Sequence, residues 1–117
     1  MRKELWGYAK DEDLDTEGML RLKYQGIRPA PGYPACPDHT EKAKIFELLE
    51  VEKNIGVSLT ESFAMVPVSS VSGYIFANEH SAYFNLGKIK EDQLVDYAQR
   101  KGMTRDKAAE WLAQNLD

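Results

Sequence analysis

The sequence predicts an α+β fold: a small antiparallel sheet with a hairpin, packed by helices. Three observations carry it. The β-prone residues are clustered in 57 to 86 rather than alternating with helical segments, which disfavours a doubly wound fold. Apolar residues recur at helical spacing on either side of that region, between residues 38 and 56 and between 91 and 112. No internal repeat, low-complexity tract or domain boundary interrupts the chain, so residues 1–117 read as a single domain.

Taken in order, the opening RKELWGYA offers Leu5, Trp6 and Tyr8 as apolar surface without a local partner, as in the tail of an element that starts before Met1. The acidic run DEDLDTEG invites comparison with a calcium loop. Thr16 stands where that loop needs glycine and Leu22 where it needs glutamate, so the run reads as a solvated turn that caps a short helix around Met19 to Tyr24. Four of the five prolines, Pro29, Pro31, Pro34 and Pro37, then fall within YQGIRPAPGYPACPDHTEK. Each fixes its own φ and biases the preceding residue toward extended conformations, which predicts a rigid, largely extended loop from Ile27 to Cys36.

Asp38, with Glu41 three residues on, has the pattern of a capping box for a helix that turns Ile45, Phe46, Leu48 and Leu49 inward and stops at Gly56. Val68, Val71, Tyr74, Ile75 and Phe76 are β-prone, and NEHS at 78 to 81 reads as the turn of a hairpin between YIFA and AYFNL. A helix from about Glu91 to Lys101 follows, with Leu94, Val95 and Ala98 inward and Gly102 at its end. The last helix is capped by Thr104 and carries Ala108, Trp111 and Leu112 as core.

Composition narrows the function. A hydrophobic content of 43% with 29% charged residues is that of a folded globular chain, and 117 residues can bury a core without disulfides or metals. The single cysteine, Cys36, and the absence of an apolar leader point to a reducing cytoplasm. With a net charge of −4 and 15 scattered basic residues, neither nucleic acid nor a membrane surface is an expected partner. Nucleotide-binding glycine motifs and the GxSxG elbow are missing. Cys36 and His39 have a metal-like spacing, but two further ligands are lacking, so no metal site is assigned; Cys36 reads as packed and inert.

Read from its residues alone, the proline loop has two uses. Arg28 can meet a carboxylate or phosphate, Tyr33 offers a flat amphipathic ring, and free peptide groups suit a planar ligand rich in heteroatoms. Equally, the loop can be a braced connection with Arg28 paired to a nearby acid.

The blocks RPAPGYPACPDHTEK, LLEVEK, LTESFAM, SVSGYIF and DYAQRKGM, part of a match that runs in order from Trp6 to Leu116, resemble the C-terminal activation domain of cobalamin-dependent methionine synthase. The resemblance implies the fold of that domain, here its C-terminal portion only. It also implies an activation module that binds S-adenosylmethionine and supports reductive remethylation of inactive cob(II)alamin in methionine biosynthesis. Cobalamin is then held by another domain, and the electron comes from flavodoxin or a flavoprotein reductase. The family's arginine, three residues, Gly-Tyr motif stands intact as Arg28, Pro29, Ala30, Pro31, Gly32 and Tyr33. By that match Arg28 holds the ligand's methionyl carboxylate, backbone groups at Ala30 and near Tyr33 meet the adenosyl portion, and Gly32 permits the close approach. Tyr83 matches the family's tyrosine from a second segment, with Phe84 where a second aromatic hydroxyl often stands. His39 matches a histidine near the face that meets the cobalamin-binding domain.

No catalytic residue is assigned within this segment. The family's domain is longer, and its N-terminal part supplies an acidic residue for the ligand's amino group. The expectation is therefore a fragment of a larger methionine synthase or a split remnant, with affinity weakened by roughly 1.5 to 3 kcal/mol for one lost charge-assisted contact. The alternative is a protein-interaction module that docks its proline-rich loop on a partner without binding a ligand of its own. An independent enzyme using Cys36 and His39 ranks last.

Overall fold

The computed structural model describes residues 1–117, and these divide into two compact units, Met1–Arg28 with Tyr74–Tyr83, and Pro29–Gly73 with Phe84–Asp117. The first unit is organised by a cation. Arg2 reaches Glu12 in an ion pair, donates to the Gln25 carbonyl at 2.9 Å and the Tyr8 hydroxyl at 3.2 Å, and lies over the rings of Tyr8 and Tyr24 at 5.3 and 5.0 Å. A planar guanidinium can serve edge acceptors and ring faces at once, which an ammonium cannot. Tyr8 therefore has the local partner that its sequence neighbours lacked, while Leu5 stays exposed and Trp6 only edges onto Tyr8 at 5.7 Å.

Helix α1, Thr16–Leu20, is capped as the acidic run suggested, with the Asp15 carboxylate accepting from the Gly18 N–H at 2.7 Å. It lies earlier than predicted and ends before Tyr24, because Leu22 adopts a left-handed φ of 55°. Ile27 and Phe76 exchange backbone hydrogen bonds at 2.9 Å in each direction. Gly26 is what lets the chains meet so closely: its φ is +76°, and a side chain there would stand 2.1 Å from the Phe76 carbonyl oxygen. The predicted hairpin across NEHS is not formed. The turn is present, with Asn78 accepting from Ser81 N–H at 3.1 Å and from His80 N–H through its side chain at 2.8 Å, but Tyr83 to Leu86 do not pair with YIFA. Phe76 is already committed to Ile27.

In the second unit the sheet is a two-stranded antiparallel hairpin, β1 Ser58–Leu59 with β2 Met65–Val66, in the register Ser58↔Val66 and Leu59↔Met65. Thr60 closes it: its N–H donates to the Ala64 carbonyl at 2.9 Å and its hydroxyl accepts from the Ala64 N–H at 3.1 Å. The fold class is thus as predicted, with its hairpin in a different place. Val68 and Val71 lie on no strand and are exposed.

The helix predicted from Asp38 to Gly56 is two helices, α2 Glu41–Leu48 and α3 Val51–Ile55. The break sits at Glu50, whose φ of 43° is left-handed, and the Asn54 side chain donates to the Leu49 carbonyl at 2.8 Å where the α2 ladder stops. The rotation introduced there leaves Leu48 and Leu49 in solvent while Ile45 and Phe46 stay half-buried. Gly56 ends α3 as expected.

The main core joins α4, Glu91–Lys101, and α5, Arg105–Trp111, through Ile89, Leu94, Ala98, Ala108 and Leu112. Leu94 is fully buried, a contribution of about 1.5–3 kcal/mol. Thr104 caps α5 by accepting from the Lys107 N–H at 3.2 Å, as the sequence indicated. Val95 is exposed and Tyr97 is turned inward in its place, on the face of α4 that carries Leu94 three residues earlier. Trp111 is half-buried, edge-on to Phe63 at 5.3 Å. A short 3₁₀ turn, Ala113–Asn115, brings the chain end back so that Ile89 N–H donates to the Asn115 carbonyl at 2.7 Å. No helix is long and apolar enough to cross a membrane.

Candidate functional site

The proline segment is not extended. It folds into two successive turns, because Pro31 and Gly32 supply the fixed φ and the positive φ that the centre of a type II turn requires. Tyr33 N–H donates to the Ala30 carbonyl at 3.2 Å, Cys36 N–H to the Tyr33 carbonyl at 2.8 Å, and Gly32 N–H to the Cys36 carbonyl at 2.8 Å. The direction of the backbone is set by Gly32, which reverses it. Pro31 is fully buried at the turn and Tyr33 is 67% exposed. Gly73 passes beside this segment, where a side chain would stand 3.0 Å from the Pro29 carbonyl oxygen.

Within the first unit Arg28 and Tyr83 meet. The Arg28 peptide N–H donates to the Tyr83 hydroxyl at 2.8 Å, and that hydroxyl also lies 3.5 Å from the Tyr24 hydroxyl. The Arg28 guanidinium stands 6.0 Å from the Tyr24 ring and has no carboxylate within ion-pair distance. The neighbouring Tyr83 hydroxyl, with burial, pushes the Tyr24 phenol above its ordinary range despite the nearby arginines. The reading in which Arg28 is paired to an acid is not realised. Ala30, Gly32 and Tyr33 belong to the second unit, as does Phe84, which is exposed.

His39 packs on the turn itself. A side chain at Gly32, whose φ is +96°, would stand 2.2 Å from His39 Cε1, so the open face of that glycine is covered by the imidazole. Cys36 and His39 share no hydrogen bond, and no group of three or more His, Cys, Asp or Glu side chains is disposed to hold a metal ion. Burial, with Glu41 and Asp38 adding to it against Lys101, pushes the Cys36 thiol up, opposite to what activation as a nucleophile requires.

Sequence reasoning missed the polar network that fixes this corner. Asp38, 3% exposed, is not the helix cap. Its carboxylate accepts from Thr40 N–H at 2.7 Å, from the Thr40 hydroxyl at 2.8 Å and from the Tyr97 hydroxyl at 2.5 Å, with Lys101 Nζ at 3.6 Å. Glu41, expected to complete the capping box, pairs instead with Lys101 at 2.5 Å. Long-range partners on α4 outbid the local pattern. Burial alone would raise the Asp38 carboxyl, but the bonds from Tyr97 and Thr40, with the Lys101 charge, hold it below its usual value. The available signal was Tyr97 and Lys101 four residues apart on one face of α4.

An open cavity of about 440 Å³ lies elsewhere in the second unit, lined by residues of α2, α3 and β1 including Phe46, Val51 and Leu59.

Residues 1–102 match the family of the activation domain of vitamin B12 dependent methionine synthase. The chain belongs to that family. The activation-domain fold is likewise shared with a crystal structure of the MetH reactivation domain bound to AdoHcy, at 59% sequence identity and a TM-score of 0.90. That match covers 98% of this chain and 35% of the other, so this activation-domain chain spans about a third of the length of the solved one.

Proposed function

We propose that this chain is the S-adenosylmethionine-binding module of a methionine synthase activation domain, supporting reductive remethylation of cob(II)alamin held by another domain. The observation that carries the reading is the Arg28–Tyr83 pair. An exposed guanidinium has no carboxylate of its own, and the peptide it springs from is fixed by a tyrosine hydroxyl at 2.8 Å. A fork-shaped cation held that way suits a ligand carboxylate. The intact Ala30-Pro31-Gly32-Tyr33 turn supports it, as does the similarity to a domain solved with AdoHcy.

In this reading Arg28 takes the methionyl carboxylate, Ala30, Gly32 and Tyr33 present backbone and ring to the adenosyl portion, and Tyr83 and Phe84 add the second aromatic segment. His39 belongs to the face that meets the cobalamin-binding domain. When bound, S-adenosylmethionine supplies the methyl group, while flavodoxin or a flavoprotein reductase supplies the electron. The chain's own contribution is orientation rather than acid–base chemistry. The whole of residues 1–117 is then the C-terminal part of the activation domain, working in the cytoplasm.

Calorimetry and thermal shift with S-adenosylmethionine test this. A ligand at a hundred times its Kd stabilises the wild-type fold by about 2.7 kcal/mol. Arg28→Ala removes a charge-assisted contact of about 1.5–3 kcal/mol, roughly a 10- to 150-fold loss of affinity. An unchanged shift in Arg28→Ala would refute the assignment.

A second reading has one observation in its favour. Tyr33 reaches solvent, as a docking module that presents its proline loop to a partner requires. Against it, Pro31 is buried and the loop is closed by turn hydrogen bonds, whereas polyproline recognition uses an extended, fully solvated backbone.

A further inference from the structure

Lys42 is 7% exposed, yet no carboxylate lies within ion-pair distance of its ammonium. Its two partners are the Phe63 carbonyl oxygen at 2.8 Å and His39 Nδ1 at 3.0 Å. Phe63 presents that carbonyl from a left-handed backbone, φ 60°, and anchors its ring edge-on to Trp111 at 5.3 Å. A sealed cation without a counter-charge is costly, and an apolar residue would fill the space more cheaply. The ammonium is therefore to be explained by what it donates to.

An ammonium can only donate. Nδ1 of His39 must then accept, which places its lone pair on Lys42 and leaves the imidazole's single proton on Nε2. A doubly protonated ring would set an N–H against the ammonium at 3.0 Å, two donors and two positive charges together. Nε2 bonds to nothing in the chain. It is not sealed either, since the one buried side-chain polar atom without a partner is the Ser72 hydroxyl oxygen. Besides Lys42, two neighbours hold the ring: the Gly32 backbone beneath it and Trp111, with centroids 6.4 Å apart. Asp38, next in sequence, is the one acidic group acting on it, and its carboxylate is committed to Thr40, Tyr97 and Lys101.

We propose that Lys42 is the positioning residue that keeps His39 as a neutral imidazole protonated on Nε2 alone. His39 then meets the domain's partner as a hydrogen-bond donor to an oxygen acceptor, with no lone pair left for a metal ion or a proton. The inference deepens the proposed function, because it concerns the histidine seated on the Arg28–Tyr33 motif. Burial, and after it the Lys42 charge, also lower the basicity of His39.

Long-range nitrogen–proton correlation spectra of the ligand-free protein at neutral pH test it, with the His39 ring assigned by its loss in His39→Gln. The expected wild-type pattern is a protonated Nε2 and a bare, hydrogen-bonded Nδ1. In Lys42→Met the ring should become a mixture of tautomers and titrate at higher pH. A protonated Nδ1 in the wild type, or an unchanged pattern in Lys42→Met, would overturn the proposal. If Lys42→Met does not fold, the wild-type spectrum alone decides. The spectra need no ligand, so they can fail while the Arg28→Ala calorimetry succeeds, and the reverse.

Discussion

Replacing Tyr97 with Phe deletes one oxygen and leaves the ring in the α4–α5 core. That oxygen donates to a carboxylate that is 3% exposed, at 2.5 Å. Hydrogen bonds to charged groups are worth about 1.5–3 kcal/mol, and Asp38 keeps the Thr40 bonds and the Lys101 charge, so the lower half of that range, about 1.5–2 kcal/mol, is expected. For a chain of this size that is a fall in Tm of roughly 5–10 °C. The pH dependence has a definite sign. The folded Asp38 carboxyl lies below its ordinary value, so its stabilisation is complete above that value and disappears as pH falls through the lowered one. Tyr97 is raised, by burial and then by the Asp38 bond, so its contribution is present below the ordinary phenol pKa and is lost as pH rises beyond it. Urea unfolding of wild type and Tyr97→Phe from pH 7 down to 3 reads the Asp38 contribution, because that of Tyr97 stays constant below the ordinary phenol pKa. The variant should be less stable at neutral pH and the gap should narrow on acidification. Equal stability at pH 7, or a gap that widens toward pH 3, would refute the view that this bond holds the Asp38 corner.

Gly32→Ala puts a methyl group into the His39 ring at a φ of +96°, and a loss of about 1–3 kcal/mol measured by chemical unfolding is expected, accompanied by weaker S-adenosylmethionine binding. Cys36 should react with a thiol reagent at neutral pH more slowly than a model peptide, with the rate recovering above the ordinary thiol range; a rate faster than the peptide's would contradict the burial and the acidic neighbours found around it.

Much of the helical half was legible from residues alone. The α4 bounds, the Gly102 end and the Thr104 cap follow from short-range geometry, in which spacing and capping residues act within one turn. The Asp15 cap was legible for the same reason, and the family followed from the ordered blocks of sequence. Two of the misplaced features depend on partners distant in sequence. Asp38 and Glu41 look like a capping box until Tyr97 and Lys101 arrive some sixty residues later, and Phe76 looks like one side of a hairpin until Ile27 takes its hydrogen bonds. A β-prone run states that a strand is affordable, not which strand will pair with it. In the proline segment the rigid φ values were certain, yet the direction was set by Gly32, whose single positive φ turned an extended ribbon into a turn. The sequence by itself therefore determined the family and the fold class. Only the tertiary structure decided that Arg28 is anchored by Tyr83, that Asp38 answers to α4, and that Lys42 sits on His39, because each of these is a polar group whose partner only folding brings within reach.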